Sequence, residues 1–71
     1  MRLEQFQYLR EIALVGSMNM AGENLHVSQQ AISTAMRLLE EELDAVLLVR
    51  TSKGVELTAA GQKALAAAVD I

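Results

Sequence analysis

Two short segments with helical spacing of their apolar residues lie between Ser17 and Leu43, on either side of a tight connection. The connection is Leu25-His26-Val27-Ser28, and Ser28 is a good N-cap for a helix that begins at Gln29. Two amphipathic helices joined by so short a turn are typical of a helix-turn-helix.

The second helix of the pair has two contrasting faces. At about 100° per residue its apolar side chains gather on one side, namely Ile32, Ala35, Met36, Leu39 and Leu43. The remaining arc carries polar side chains, namely Gln29, Gln30, Ser33, Thr34 and Arg37. Amides, hydroxyls and a guanidinium are the groups that contact base edges and phosphates of duplex DNA. We therefore predict that this helix enters a DNA groove.

The preceding residues predict two shorter helices. A first helix covers residues 3 to about 15 and ends at Gly16, and Ser17 caps a second helix from Met18 to about Asn24. The stripe of the first helix is predicted at helical spacing through Leu3, Phe6, either Leu9 or Arg10, and Ala13, and it is widened by Ile12 and Leu14. The third helix then runs from Gln29 to about Glu42.

Two β-favouring stretches follow the third helix. Residues 46–50 and 55–57 are rich in Val and Leu, and the pair Lys53-Gly54 between them supplies a turn. Thr58 then caps an alanine-rich fourth helix that runs from Ala59 to the end of the chain. The predicted fold is mainly α, a winged helix-turn-helix with a three-helix core and a two-stranded β wing.

Composition restricts the functions open to this chain. Its 71 residues include no Cys and one His, His26, which leaves no disulfide and little basis for a metal site. The lack of Cys fits a protein of the reducing cytoplasm. The apolar runs are far shorter than the roughly 18 residues that span a bilayer, so we expect neither a signal peptide nor a membrane segment. The chain has no Trp, one Phe and one Tyr, so stacking of aromatic side chains on the bases of single-stranded nucleic acid is disfavoured.

The sequence also contains no evident acid–base pair, nucleophile or phosphate-binding loop. We therefore expect neither an enzyme nor a cofactor.

The net charge of −3 is unusual for a domain that binds phosphates. Its acids, however, are concentrated at the far end of the third helix and beyond, at Glu40-Glu41-Glu42, Asp44 and Glu56. The cations predicted near the DNA face are Arg37, Arg50 and Lys53. A locally positive patch is therefore expected on an acidic domain. The run Glu40-Glu41-Glu42 is interpreted as a solvated helix end, because consecutive helical residues point to different faces.

Taken together, the residues resemble the N-terminal DNA-binding domain of LysR-type transcriptional regulators over essentially residues 1–71. The matching stretches are residues 3–8, 16–17, 21, 25–29, 31–33, 39–43, 50–51 and 57–61. The resemblance implies a bacterial regulator that binds promoter DNA as a homodimer, with residues 1–57 as the winged domain. It also implies that residues 58–71 begin a linker and dimerisation helix. A small-molecule effector would bind only to a larger domain that is absent from this chain.

Three residues depart from the pattern of that family. Gln30 stands where Pro is common, Thr34 where Arg is frequent, and Asp44 where Gly usually ends the third helix. Gln30 regains a backbone donor and adds an amide that can contact adenine. Thr34 removes a charge that could reach a phosphate, so weaker or more salt-sensitive binding is expected.

The predicted DNA contacts fall into two kinds. Gln29 and Gln30 are candidates for base contacts at the start of the third helix. The other candidates are for the DNA backbone, with the minor groove as an alternative for the two wing cations; they are Ser28, Ser33, Thr34, Arg37, Arg50, Lys53 and Thr58. Two alternatives stay open: Arg37 can instead pair with Glu41 on the same helix, and Thr58 can act as a helix cap alone.

A rival interpretation keeps the fold and changes the partner. An acidic winged helix could use its Ala/Leu-rich fourth helix and the Leu47-Leu48 edge to bind a protein, and both the charge of −3 and Thr34 favour it. The uncharged polar face of the third helix favours DNA, because it suits base edges better than an apolar interface.

Overall fold

Four helices and one β-hairpin, in the predicted order, make up the part of the chain that the computed structural model describes, residues 2–69. They are α1 (Leu3–Val15), α2 (Met18–Leu25), α3 (Gln29–Leu43), β1 (Leu48–Thr51), β2 (Gly54–Leu57) and α4 (Ala59–Val69). The predicted mainly α winged helix-turn-helix is confirmed. Strand β1 begins two residues later than predicted, and the predicted course of α4 through Asp70 and Ile71 lies outside the described residues.

Local sequence sets the beginning and end of α2 and α3. The side chains of Ser17 and Ser28 each accept a hydrogen bond from the backbone N–H three residues on, at 3.2 and 3.0 Å. Helices α1, α2 and α3 end at left-handed residues, Gly16 (φ 68°), His26 (φ 60°) and Asp44 (φ 50°). Asp is one of the few side chains that tolerate this conformation. Asp44 can therefore end α3 without a glycine.

Helices α1, α2 and α3 enclose the core together with the residue before β1. The buried apolar side chains are Leu9, Ile12, Ala21, Ile32, Met36, Leu39 and Leu47. The predicted inner face of α3 is confirmed, since Ala35 and Leu43 also pack partly against this cluster.

The predicted stripe of α1 is wrong at its edges. Leu3 and Leu14 are 75% and 69% exposed and Ala13 is exposed as well, whereas Gln5 is 4% exposed. The helical repeat that contains Leu9 and Ile12 passes through Gln5, whose side-chain oxygen accepts the N–H of Arg2 at 2.7 Å. A polar residue therefore occupies a core position because its oxygen is hydrogen-bonded.

The hairpin is attached to the helices at both ends. Strands β1 and β2 pair antiparallel, with Leu48 opposite Leu57 and Arg50 opposite Val55. At the tip, the N–H of Val55 donates to the carbonyl of Gly16 at 3.1 Å. A side chain at Gly54, where φ is 134°, would collide with that same carbonyl. The close approach of two glycines thus fixes the wing tip against the α1–α2 turn.

The start of α4 is anchored at the base of the hairpin. The N–H of Thr58 donates to the carbonyl of Leu47 at 2.9 Å, and its hydroxyl donates to the carbonyl of Val46. The same hydroxyl oxygen accepts the N–H of Gly61 at 3.0 Å, which confirms the predicted cap. Gly61 lies so close to the Leu47 carbonyl that a β-carbon would overlap it.

Candidate nucleic-acid interface

The outer side of α3 is a polar ridge. Gln29, Gln30, Thr34 and Arg37 are exposed, and Ser33 is half-buried at the side that faces α2. The sequence prediction that these groups point away from the core is confirmed for the four exposed side chains. Because the buried residues of α3 are held by a shared core, the ridge is fixed relative to the rest of the domain.

A groove separates the beginning of α3 from the wing, and we call it the wing groove. Its walls include Met18 and Asn19 from α2, Gln29 from α3, and Arg50 and Lys53 from the hairpin. The other lining residues are Gly16, Ser17, Thr51, Ser52, Gly54 and Val55, so this stretch of surface carries two cations and no acid. An acid-free cationic groove beside exposed amides is a local surface suited to DNA, despite the negative net charge.

The two wing cations are available for an external partner. Neither Arg50 nor Lys53 forms a salt bridge within residues 2–69. The N–H of Lys53 donates to the hydroxyl of Thr51 at 3.2 Å, which orders the loop without using the charge. The structure thus brings both predicted wing residues to the groove that also contains Gln29.

Arg37 is paired along its own helix. Its guanidinium lies 2.8 Å from the carboxylate of Glu41, and the two side chains are 64% and 60% exposed. The alternative left open by the sequence is therefore present in the structure. An exposed pair at this spacing contributes only about 0.3–0.5 kcal/mol, so a phosphate could displace Glu41 at little cost.

Two of the predicted hydroxyl donors are engaged within the protein. The hydroxyl of Ser33 donates to the sulfur of Met18 at 3.6 Å, a weak bond that links α3 to α2. The hydroxyl of Thr58 donates to Val46 and accepts from Gly61 at the base of the wing. Thr58 therefore has the capping role, while Ser33 can reorient at little cost.

The opposite flank of α3 faces α1 and has a different character. Its shallow groove includes Gln30, Thr34 and Leu38 from α3, with Glu4 and Tyr8 from α1. Ser28 also lies on this flank, and its hydroxyl oxygen caps α3. The two predicted amides, Gln29 and Gln30, thus lie on different sides of the ridge. Only Gln29 shares a groove with the wing cations Arg50 and Lys53.

Glu40 has a role that the sequence did not indicate. Its carboxylate accepts the backbone N–H groups of Leu47 and Leu48 at 2.8 and 3.3 Å. The interpretation of residues 40–42 as a solvated helix end is therefore wrong for Glu40. The partners are seven and eight residues away across an irregular connection, and no periodic pattern reports such a contact.

Other kinds of site find little support within the described range, residues 2–69. No group of three or more His, Cys, Asp or Glu side chains there is arranged to hold a metal ion. No helix in that range combines the length and apolar character needed to cross a membrane.

The short turn between α2 and α3, the three-helix core and the anchored hairpin define a winged helix-turn-helix domain. A family model described as "Bacterial regulatory helix-turn-helix protein, lysR family" matches residues 3–62. The chain belongs to this LysR family, and it corresponds to the family's DNA-binding domain.

Curated relatives are much longer than this chain. The HTH-type transcriptional regulator TcbR of a Pseudomonas species is 46% identical over 61 residues, which cover 86% of this chain and 21% of TcbR. The nitrogen assimilation regulatory protein nac of Klebsiella aerogenes is 42% identical over 62 residues, or 87% of this chain and 20% of that protein. The chain thus spans about a fifth of the length of these two relatives.

Solved structures agree with the fold over nearly the whole chain. The DNA-binding domain of CbnR, in a complex with DNA, is 43% identical with a TM-score of 0.91, over 99% of this chain and 80% of that one. The DNA-binding domain of BenM, in a complex with catB site 1 DNA, is 30% identical with a TM-score of 0.89, over 99% and 75%.

Proposed function

We propose that this chain binds double-stranded DNA in a sequence-specific manner, with α3 in the major groove and the wing on the flanking backbone. The observation that carries the proposal is the acid-free wing groove beside the exposed amide of Gln29. The proposal is also supported by two similar domains, those of CbnR and BenM, whose structures were solved in complexes with DNA.

The two amides at the start of α3 are proposed to contact bases. A glutamine side chain can donate to and accept from one adenine at the same time, which distinguishes that base from the others. Gln29 and Gln30 are both exposed within the first turn of α3. That end of a recognition helix is the part that meets base edges in helix-turn-helix complexes.

The remaining contacts are proposed to position the domain on phosphates. Arg50 and Lys53 supply charge from the wing, and Arg37 supplies it from α3 once Glu41 is displaced. The other hydroxyl groups near the ridge, those of Ser28, Ser33 and Thr34, would donate to phosphate oxygens. Contact between Thr58 and DNA stays a prediction, and it cannot use the hydroxyl hydrogen while Val46 accepts it.

Pairing of two copies through α4 is the second part of the proposal. A largely apolar groove between the end of α1, strand β2 and α4 includes Leu14, Leu57, Leu65 and Ala66. Residues 58–71 are proposed to begin a dimerisation helix. Since α4 is itself one wall of this groove, a second copy would supply the helix that covers it. A symmetric dimer would then place two copies of α3 about one DNA turn apart, or a multiple of it.

The whole protein is proposed to be a cytoplasmic transcriptional regulator, since its relative TcbR is a transcriptional regulator. The small-molecule effector would act through a domain beyond this chain, because the relatives continue for several times its length. Binding by the present chain alone would then be independent of any effector.

Titration with a mixed-sequence duplex at several salt concentrations tests the proposal. Binding should weaken as salt rises, and Arg50→Ala or Lys53→Ala should each reduce the slope of log K against log salt by about 0.9. Lys63→Ala is the matched control, because Lys63 is an exposed cation on α4 outside the wing groove. Absence of salt-dependent association would overturn the proposal.

The Leu47-Leu48 edge predicted for a rival protein-binding function is not available, because Leu47 is buried in the core and Leu48 packs against it. The rival is favoured instead by the apolar groove beside α4 and by Leu14, which is 69% exposed. It predicts no association with duplex DNA even at low salt. It also predicts that Leu14→Ser, rather than Arg50→Ala, removes the partner.

A further inference from the structure

Glu40 joins the recognition helix to the wing through its side chain. Its carboxylate accepts the N–H of Leu47 at 2.8 Å and that of Leu48 at 3.3 Å. Its own backbone carbonyl accepts the N–H of Ala45 at 3.1 Å. One residue of α3 therefore holds three backbone groups of the connection that leads into β1.

These bonds act on the strand that carries Arg50. Leu48 and Arg50 lie on the same face of β1, because side chains alternate along a strand. Arg37, Glu40 and Arg50 also line one continuous depression between α3 and the hairpin. The point where Glu40 fixes β1 therefore sets how far Arg50 lies from the ridge of α3.

The other hydrogen-bonded attachments of the wing do not reach α3, which the hairpin otherwise meets through apolar packing of Leu47 and Leu48 on the shared core. The tip is held by the carbonyl of Gly16, which lies between α1 and α2. The base is held by Thr58, which precedes α4. Without the Glu40 bonds, only non-directional apolar packing would set the distance between β1 and α3, so the strand could shift between its two other hydrogen-bonded attachments.

Building on the proposed function, we infer that Glu40 is a positioning residue for DNA binding. It sets the spacing between the base-reading ridge of α3 and the wing cations Arg50 and Lys53, so that both reach one duplex. Hydrogen bonds from N–H groups to a carboxylate are stronger than those to a neutral oxygen, which suits an anchor of this kind. Glu40 does this without touching DNA itself.

Three substitutions separate geometry from charge. Glu40→Gln keeps an oxygen that can accept both N–H groups and removes the charge. Glu40→Ala removes the charge and the acceptor. Glu40→Asp keeps the charge but is shorter by one carbon, and it replaces the alanine variant should that variant fail to fold. Ile12→Val is the control for lost stability, because Ile12 is buried in the core away from the wing.

The readout is the salt slope of binding to a mixed-sequence duplex, measured on the 71-residue chain. Glu40→Gln and Ile12→Val should keep the slope of the wild-type chain. Glu40→Ala and Glu40→Asp should reduce it by about 1.8, which corresponds to two lost phosphate contacts. Adding Arg50→Ala and Lys53→Ala to Glu40→Ala should then change the slope no further. Amide hydrogen exchange at Leu47 and Leu48 should accelerate in the alanine and aspartate variants.

Different failures have different meanings. A wild-type slope in both Glu40→Ala and Glu40→Asp, or a full additional loss on removing the wing cations, would overturn the inference alone. A reduced slope in Ile12→Val would also overturn it, because lost stability would then account for the effect. Absence of duplex binding by the wild-type chain would overturn the proposed function and this inference together.

Discussion

Helix α3 and the wing contribute to the same surface, but different physical causes place their side chains. The exposed positions of α3 follow from a helical repeat whose inner side is buried by Ile32, Met36 and Leu39. The position of Arg50 depends on bonds to Gly16, Glu40 and Thr58, which lie in three other parts of the chain.

This difference separates two kinds of functional sensitivity. On α3, an outward side chain can be changed without disturbing the fold, because the packing is on the opposite face. In the wing, a substitution far from the proposed DNA surface can alter binding by moving the strand. Substitutions in the two regions should therefore differ in their effects on stability and on DNA binding.

Ile32→Ala should have the largest effect, since it removes a fully buried side chain from the inner face of α3. We expect the free energy of unfolding in urea to fall by about 2–5 kcal/mol. Thr34→Ala, two residues away on the exposed face, should change it by less than about 0.5 kcal/mol. Similar losses in the two variants would contradict the separation of the faces.

Gly54→Ala should destabilise the chain by about 1–3 kcal/mol, because alanine is strained at a φ of 134° and collides with the Gly16 carbonyl. Urea unfolding measures the loss, and the salt slope of duplex binding should fall as the wing tip detaches. Ser52→Ala in the adjacent loop is the control. An unchanged slope would show that the tip contact does not position the wing.

Gln29→Ala should weaken binding to a preferred site by about 1–3 kcal/mol and binding to random duplex only slightly. The preferred site can be selected from a pool of random duplexes with the wild-type chain. Since Gln29 is exposed, unfolding should be unaffected. Equal losses on both kinds of DNA would exclude Gln29 from base recognition.

Thr58→Ala should lower the free energy of unfolding by about 0.5–2 kcal/mol through loss of the α4 cap. Thr58→Ser keeps the hydroxyl and should retain most of this stability. The salt slope should be that of the wild-type chain in both variants. A slope lowered by about 0.9 in Thr58→Ala alone would instead assign a phosphate contact to its hydroxyl.

Arg37→Ala should have the smallest effect on stability, about 0.3–0.5 kcal/mol, because its pair with Glu41 is exposed. Thermal unfolding measures this loss, and Glu41→Ala should match it. The two variants should differ in DNA binding, because only the first removes a cation. If both leave the salt slope unchanged, Arg37 does not contact phosphate.

The elements that local sequence determines were predictable. The caps at Ser17, Ser28 and Thr58 depend on residues three positions away, and the inner face of α3 depends on an apolar repeat within one helix. The winged helix-turn-helix follows from those signals and from the LysR-type resemblance. The exposure of the proposed base-reading residues, Gln29 and Gln30, was predictable for the same reason, because the helical repeat of α3 determines which positions face outward.

Contacts between distant residues were not predictable from the same patterns. Gln5 is buried because the Arg2 N–H satisfies its oxygen, and a hydrophobic pattern counts it as polar. Glu40 is one of three consecutive glutamates, and only its tertiary contacts with Leu47 and Leu48 distinguish its role from a solvated one. The meeting of Gly16 with Gly54 joins residues 38 positions apart, which neither repeat nor composition reveals.

That meeting has a consequence for engineering the domain. Because the wing tip is hydrogen-bonded to the Gly16 carbonyl, the hairpin and the α1–α2 turn would have to be transferred together between related domains. In a chimera that received only a foreign hairpin, the tip of that hairpin would meet an α1–α2 turn from a different sequence, and the contact at Gly16 could be lost. Transplanting both segments together would preserve the docking while changing the cations that the wing displays.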